Sequence, residues 1–258
     1  MGYTDPRHAS LCGWRPCLVW PRISKVQPMK IGMVILAGGV GKRMNEPVPK
    51  QFLILAGKPI IIHVLEKVEQ LVDVERVVIT CPAEFVAETQ MLLTHRNLEG
   101  RFSCVEGGAT RQESVRMGLV ELGECETVVI HEAVRPFVTI AEFRALIDSE
   151  FENAIYGTRI PFTVLGGHEY VEDIFERSRL VNVQLPQKFD AAKLMQAHES
   201  ARAEDTEFTE DASLLFHYQG SQIRILEGSE KNIKITDPTD LIIGEAIYNE
   251  YVLGRAQD

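Results

Sequence analysis

From residue 31 onward the chain alternates two hydrophobic periods. Short β-branched runs at 32–36, 76–80, 102–106 and 127–131 read as strands. Between them, segments at 59–71, 83–93 and 111–122 carry apolar residues at helical spacing, as Val115, Leu119 and Leu122 do in the last. Strand and helix in alternation predict a mostly parallel sheet covered on both faces, a doubly wound α/β fold. Ligands of such sheets bind at the carboxyl ends of the strands. Two loops therefore belong on one rim: the glycine-rich stretch after 36 and the HEAVRP run at 131–136.

The rhythm breaks at about 160–183. There Gly166-Gly167 lies between β-prone runs at 162–165 and 170–171, which predicts a hairpin leaving the main body. An isolated hairpin is at best marginally stable, so this arm is expected to pack on a partner subunit and make a homodimer. Helices follow near 191–202 and 211–218, then a strand at 222–226, a basic-tipped segment at 232–236 and a closing helix from Pro238. Residues 1–28 hold both tryptophans, one acid (Asp5) and no regular period. They read as a leader or disordered extension, with a targeting segment as the alternative and Met29 as an alternative start, ahead of a domain at 29–258.

Composition narrows the classes. A formal charge of −10 over 258 residues argues against a nucleic-acid binder. No apolar run approaches the ~20 residues that span a bilayer, so no membrane partner is expected. The five cysteines (Cys12, Cys17, Cys81, Cys104, Cys125) form no C-x-x-C pair, which suits a reducing cytoplasm with neither disulfide frame nor zinc site. Cys81, Cys104 and Cys125 read as small buried hydrophobes.

The chemistry concentrates in LAGGVGKRMNEPVPKQ, residues 36–51. Gly38, Gly39 and Gly41 let backbone N–H groups approach an anion, and Arg43 and Lys50 supply fixed positive charge. A P-loop is excluded because Arg43 stands where Ser or Thr must follow Gly41-Lys42. A dinucleotide fingerprint fails because Met44 occupies its third glycine and Pro47 and Pro49 lengthen the loop. A loop wrapping a triphosphate fits better. A second glycine turn, Gly107-Gly108, leads through Arg111 and Ser114 into a helix.

These motifs stand in register with others. A-G-G-x-G-x-R-M-x(5)-K-Q-F is followed by G-G-x-x-R-x-x-S, H-E-A-x-R-P-F, P-Q-x-F, T-x-D-A-S and N-I-K-I-T, spanning about 31–250. This pattern resembles the 2-C-methyl-D-erythritol 4-phosphate cytidylyltransferases and their ribitol-5-phosphate relatives. The resemblance implies a Rossmann-like nucleotidyltransferase fold, with the hairpin as dimerisation arm and no second enzyme fused to it. It implies Mg²⁺-dependent transfer of CMP from CTP to a small polyol phosphate with release of pyrophosphate. Methylerythritol phosphate, an isoprenoid precursor, is the first expected acceptor. Ribitol 5-phosphate or a related pentitol or capsule precursor is the alternative.

By the same resemblance, Arg43, Lys50 and Lys234 are the expected catalytic cations. Ala37, Gly38, Gly39, Gly41, Gly107, Gly108, Ser114 and Ala133 would hold the nucleotide. Arg135, Arg177, Thr163 and Thr209 would hold the acceptor, with Arg177 acting across the dimer, and Glu132 would bind Mg²⁺. Thr209 followed by acids reads equally well as a helix N-cap. Two departures stand out. Glu132 is a methylene longer than the family's usual Asp, and Val164-Leu165 replace the Asp-Thr pair of P-V-x-D-T, displacing Thr163 by two positions. Two further readings remain from other classes: a cofactor-binding oxidoreductase and a non-catalytic nucleotide-binding protein.

Overall fold

The computed structural model describes residues 29–39 and 49–250. The leader, Gly41 and Arg43 lie outside the described residues. In chain order the elements are β1 (Met29–Leu36), β2 (Ile54–Leu55), β3 (Lys58–Pro59), α1 (Ile60–Val68), β4 (Arg76–Cys81), α2 (Val86–His95), β5 (Phe102–Glu106), α3 (Arg111–Leu122) and β6 (Cys125–Glu132). They continue with α4 (Ile140–Ile147), β7 (Ala154–Arg159), β8 (Leu165–Gly166), β9 (Asp173–Ile174), β10 (Val181–Asp190), α5 (Ala191–Ala203), α6 (Asp211–Gln219), β11 (Arg224–Glu227) and α7 (Pro238–Tyr248).

Seven strands form the main sheet in the order β11-β7-β10-β6-β1-β4-β5. All neighbours pair parallel except β10, which runs antiparallel to both β6 and β7. The period-2 alternation of the central strands sorts the core into two layers. Met33, Ile35, Val77, Ile79 and Val129 pack with α1, α2 and α4, whereas Val34, Leu36, Val78, Val128 and Ile130 pack with α3, α5 and α6. A third cluster of Leu55, Ile60, Val134, Phe137 and Ile235 seats α7 beside the rim. The expected mostly parallel sheet covered on both faces is the one observed.

The topology also locates a crevice. From β1 the chain runs outward through β4 and β5, then returns to the other side of β1 as β6. The strand order thus reverses at β1, and the opening lies beyond the carboxyl ends of β1 and β6, where Leu36 pairs with Glu132.

Besides the two-residue strands β2 and β3, three elements escape the hydrophobic pattern: α4, β7 and β10. Helix α4 begins with a capping box, Thr139 and Glu142 each bonding the other's backbone. Strand β10 contains Pro186, which ordinarily argues against a central strand. Its pairing to β7 shifts register between Gln184 and Gln187, so the proline falls where the ladder is interrupted. The projecting hairpin exists but is shorter and later than the pattern suggests. Leu165 pairs with Ile174 and Gly166 with Asp173, which leaves Tyr170 and Val171 in the turn. Segment 232–236 runs beside the HEAVRP loop without forming a regular strand, tied by the amide of Ile235 to the Val134 carbonyl at 2.9 Å.

Candidate active site

Three backbone hydrogen bonds continue the sheet past its strand ends and set the predicted loops side by side. The Ala37 amide donates to the Thr80 carbonyl (2.7 Å), Ala133 to Leu36 (2.9 Å) and Gly107 to Cys81 (2.8 Å). The glycine loop, the GGATR turn and the HEAVRP loop therefore share one rim, as their positions after strands demand. Buried Gln51 adds a side-chain tie, its amide nitrogen 2.8 Å from the Ala37 carbonyl. Cys81, Cys104 and Cys125 are buried free thiols within this framework, as their apolar neighbours predict.

Between the loops lies a cleft of about 240 Å³. Ala37, Gly38, Gly39, Lys50, Gly108, Ser114, Glu132 and Lys234 line it, together with Gln51, Thr110, Arg111 and Val134. The glycines leave room for neighbouring side chains at two places. A Cβ on Gly39 would stand 2.5 Å from Lys50 Cε, and one on Gly107 would stand 2.9 Å from Ser114 Oγ. Lys50 thus lies directly over Gly39. Thr110 caps α3 by accepting from the Glu113 amide (3.1 Å), so the positive end of that helix opens on the cleft. The Ser114 hydroxyl donates back to the Thr110 carbonyl at 2.9 Å.

Glu132 is the electrostatic centre. It is buried at the end of β6, with Lys234 Nζ 2.6 Å from one carboxylate oxygen and Arg135 Nε 2.9 Å from the other. Burial by itself would raise its carboxyl. Lys234, Arg135 and Arg111 more than reverse that and hold it at about 2. Arg135 also donates to the Asn232 carbonyl at 3.0 Å, and the Asn232 side chain donates to the Leu185 carbonyl at 2.7 Å. Neighbouring His131 is buried against Phe143, and burial, aided by Arg135, pushes its imidazole down to about 3. It is neutral near pH 7 and belongs to the scaffold.

The expected magnesium role of Glu132 meets a different arrangement. Both carboxylate oxygens are already engaged by cations, and among the described residues no group of three His, Cys, Asp or Glu side chains could hold a metal ion. Magnesium ordinarily takes one or two carboxylates beside substrate phosphate oxygens, so Glu132 is the carboxylate of this cleft that would hold it. Glu132 is a counter-ion to Lys234 and Arg135.

A second cleft, of about 660 Å³, adjoins the first. Its walls include Arg135, Arg159, Phe162, Asn182, Gln184, Asn232 and, once more, Lys234. Of the expected acceptor residues, only Arg135 reaches it. Thr163 and Arg177 are exposed on the arm, where Arg177 donates to the Pro161 carbonyl at 3.0 Å. Thr209 is exposed as well, and the N-cap of α6 is Glu210, which accepts from the Asp211 amide at 3.1 Å.

Gln51, Val134, Asn182 and Asn232 carry no separate expectation from sequence. The K-Q-F and N-I-K runs were the available signals, since each places its polar residue within two positions of an expected cation. Asn182 and Gln184 had none, because β10 was not legible as a strand.

Comparison with known proteins decides the family. The family model described as "2-C-methyl-D-erythritol 4-phosphate cytidylyltransferase" matches residues 31–250. The chain belongs to that family. It is accordingly a cytidylyltransferase, a nucleotidyltransferase enzyme. A relative named 2-C-methyl-D-erythritol 4-phosphate cytidylyltransferase, from Geobacillus kaustophilus, is 36% identical over 222 residues, covering 85% of this chain and 97% of that one. A relative named ribitol-5-phosphate cytidylyltransferase, from Lactiplantibacillus plantarum, is 34% identical over 223 residues, covering 83% and 96%. The solved structure of 4-diphosphocytidyl-2C-methyl-D-erythritol synthase from Anaerococcus prevotii superposes with a TM-score of 0.74 at 25% identity, covering 85% of this chain and 98% of that one. Among the described residues no helix is long and apolar enough to cross a membrane.

Proposed function

We propose that this cytidylyltransferase moves CMP from CTP to 2-C-methyl-D-erythritol 4-phosphate, with release of pyrophosphate. The observation that supports it most is the place of Lys234. One ammonium borders both the loop-lined cleft and the second cleft, so a single charge reaches a nucleotide in one and a phosphorylated acceptor in the other.

The reaction joins two polyanions. An oxygen of the acceptor phosphate forms a bond to the α-phosphorus of CTP. The bond from that phosphorus to the bridging oxygen of the β-phosphate breaks, and its electron pair leaves with pyrophosphate. The nucleophile is already an anion near neutral pH, so no general base is required. What the site must supply is positive charge fixed in place before the transition state forms. Lys50 and Lys234 take that role here, joined by Arg43 on the strength of the sequence motif. Glu132 holds Lys234 and Arg135 apart, one on each carboxylate oxygen. Backbone groups of Gly38, Gly39, Gly107 and Gly108, with Ala37, Ser114 and Ala133, receive the nucleotide in this reading.

The arm completes the acceptor side. Phe162, Tyr170 and Ile174 are 75%, 79% and 85% exposed on a hairpin that is too short to be stable alone. A second copy of the chain is the proposed cover. The partner's arm then brings its threonine and arginine to the acceptor, the role foreseen for Thr163 and Arg177, while Thr209 borders the acceptor from the main body.

One observation favours a second acceptor, ribitol 5-phosphate. Val164 and Leu165 stand where an Asp-Thr pair is expected, and the ribitol-phosphate relative is nearly as similar as the methylerythritol-phosphate one. Pyrophosphate release from CTP, measured against methylerythritol, ribitol, erythritol and glycerol phosphates, tests both. The highest kcat/KM is expected with methylerythritol phosphate. A preference for ribitol phosphate would select the second reading, and CTP binding without turnover on any acceptor would reject both.

A further inference from the structure

The start of α3 does more than close the nucleotide cleft. Gln112 grips the loop before α6 from both sides: its Nε2 donates to the Thr206 carbonyl at 3.0 Å, and its Oε1 accepts from the Phe208 amide at 2.7 Å. The preceding residue, Arg111, reaches the far end of the same loop. Its guanidinium lies 2.7 Å from Asp211 Oδ2 and 3.7 Å from Glu210 Oε1. Asp211 is buried, and its other oxygen lies 3.3 Å from Nε2 of His198 on α5, also buried. Burial alone would raise the Asp211 carboxyl, and Arg111 and His198 more than reverse that, which keeps it a carboxylate facing Arg111. Two adjacent side chains of α3 thus hold residues 206, 208, 210 and 211, and Thr209 is the position left between them.

We propose that Gln112 and Arg111 are positioning residues that set the Thr209 loop relative to the GGATR turn, so that acceptor binding is coupled to the nucleotide wall. Resting as it does on the reading of Thr209 as bordering the acceptor, the inference adds how that loop is placed. Arg111 lines the nucleotide cleft directly, whereas Gln112 acts only through the loop. That division makes Gln112 the cleaner probe.

The test is steady-state pyrophosphate release by the full chain, with methylerythritol phosphate and CTP varied separately, for wild type, Gln112→Ala and Arg111→Lys. Losing both Gln112 hydrogen bonds is expected to raise the acceptor KM about tenfold while the CTP KM stays within about twofold. Arg111→Lys keeps the charge but loses the planar fork, and should shift the acceptor KM in the same direction by less. Thermal melts recorded in parallel separate coupling from simple loss of fold. Unchanged acceptor KM in both variants, or both KM values rising together with a lowered Tm, would overturn the inference while leaving the assigned reaction intact. Absence of wild-type turnover would overturn both.

Discussion

The cleft beyond β1 and β6 and the arm at 160–183 are built on opposite terms. In the cleft, the loops after β1, β5 and β6 extend parallel strands, each pinned by a backbone bond at 2.7–2.9 Å, and the charged centre Glu132 is buried and doubly paired. In the arm, two pairs of residues make the whole ladder, and large apolar side chains face outward. The first region is preorganised by one chain's own core. The second leaves its apolar side chains outside that core. Donor chemistry can therefore be written into a single sequence, while acceptor choice depends on a surface that this chain completes with another copy in our reading.

The comparison is broken most directly at the cations. Lys50→Ala and Lys234→Ala should each lower kcat/KM with CTP by roughly 100- to 1,000-fold, since losing one preorganised donor costs about 3–4 kcal/mol of barrier. Near-normal turnover in Lys50→Ala would remove the donor cleft from the chemistry. Because it borders both clefts, Lys234 should affect both substrates.

Glu132→Gln comes next, with an expected loss of about 10- to 100-fold, because two cations lose their counter-charge without losing their place. It should also change acid stability. A carboxyl held at about 2 rather than its ordinary 4.5 stabilises the native state above pH 4.5, and that contribution fades as pH falls toward 2. Denaturant titrations across that window should show the acid-dependent limb in wild type and a flatter one in the variant. Equal slopes would mean that Glu132 is not the buried anion described.

A smaller effect sharpens the contrast at His131. Its imidazole is held at about 3 against an ordinary 6.5, so the folded state binds fewer protons than the unfolded one. The stability this gives is full above pH 6.5 and lost progressively as pH falls toward 3. His131→Gln should flatten the stability curve between pH 6.5 and 4.5, with little change in kcat near pH 7. A large loss of kcat at pH 7 would instead place the imidazole in the reaction.

The smallest effect is expected where the arm meets the donor site. Ile174→Asp should shift the sedimentation coefficient toward a single chain and raise the acceptor KM, yet move the CTP dissociation constant by no more than about 0.5 kcal/mol. A large loss of CTP affinity would show that the two regions are not independent.

How much of this was legible follows the same division. Strands β1, β4, β5 and β6 and the helices between them stand out because buried parallel strands are short β-branched runs separated by periodic helices. The motifs that line the cleft sit at their ends, so topology alone gathers Gly38, Lys50, Ser114 and Glu132. The far half was less legible. Strand β10 hides behind Pro186, whose position in a register shift no periodicity reveals. Without β10 and β7, the second cleft and its Asn182 and Gln184 could not be foreseen. The pairing of Glu132 with Lys234, 102 residues apart in sequence, was likewise out of reach, although each residue was singled out separately. Arg43 and Gly41 were equally prominent in the sequence and lie outside the described residues.

The central claim is that CTP in the cleft is attacked by the acceptor's own phosphate. Phosphorus NMR of the products, with the acceptor phosphate carrying heavy oxygen, tests it most directly. The account predicts a new diphosphate-linked cytidine product that retains heavy oxygen at the acceptor-derived phosphorus and in the new bridge, together with unlabelled pyrophosphate. Heavy oxygen in the pyrophosphate, or free CMP in place of the linked product, would contradict it.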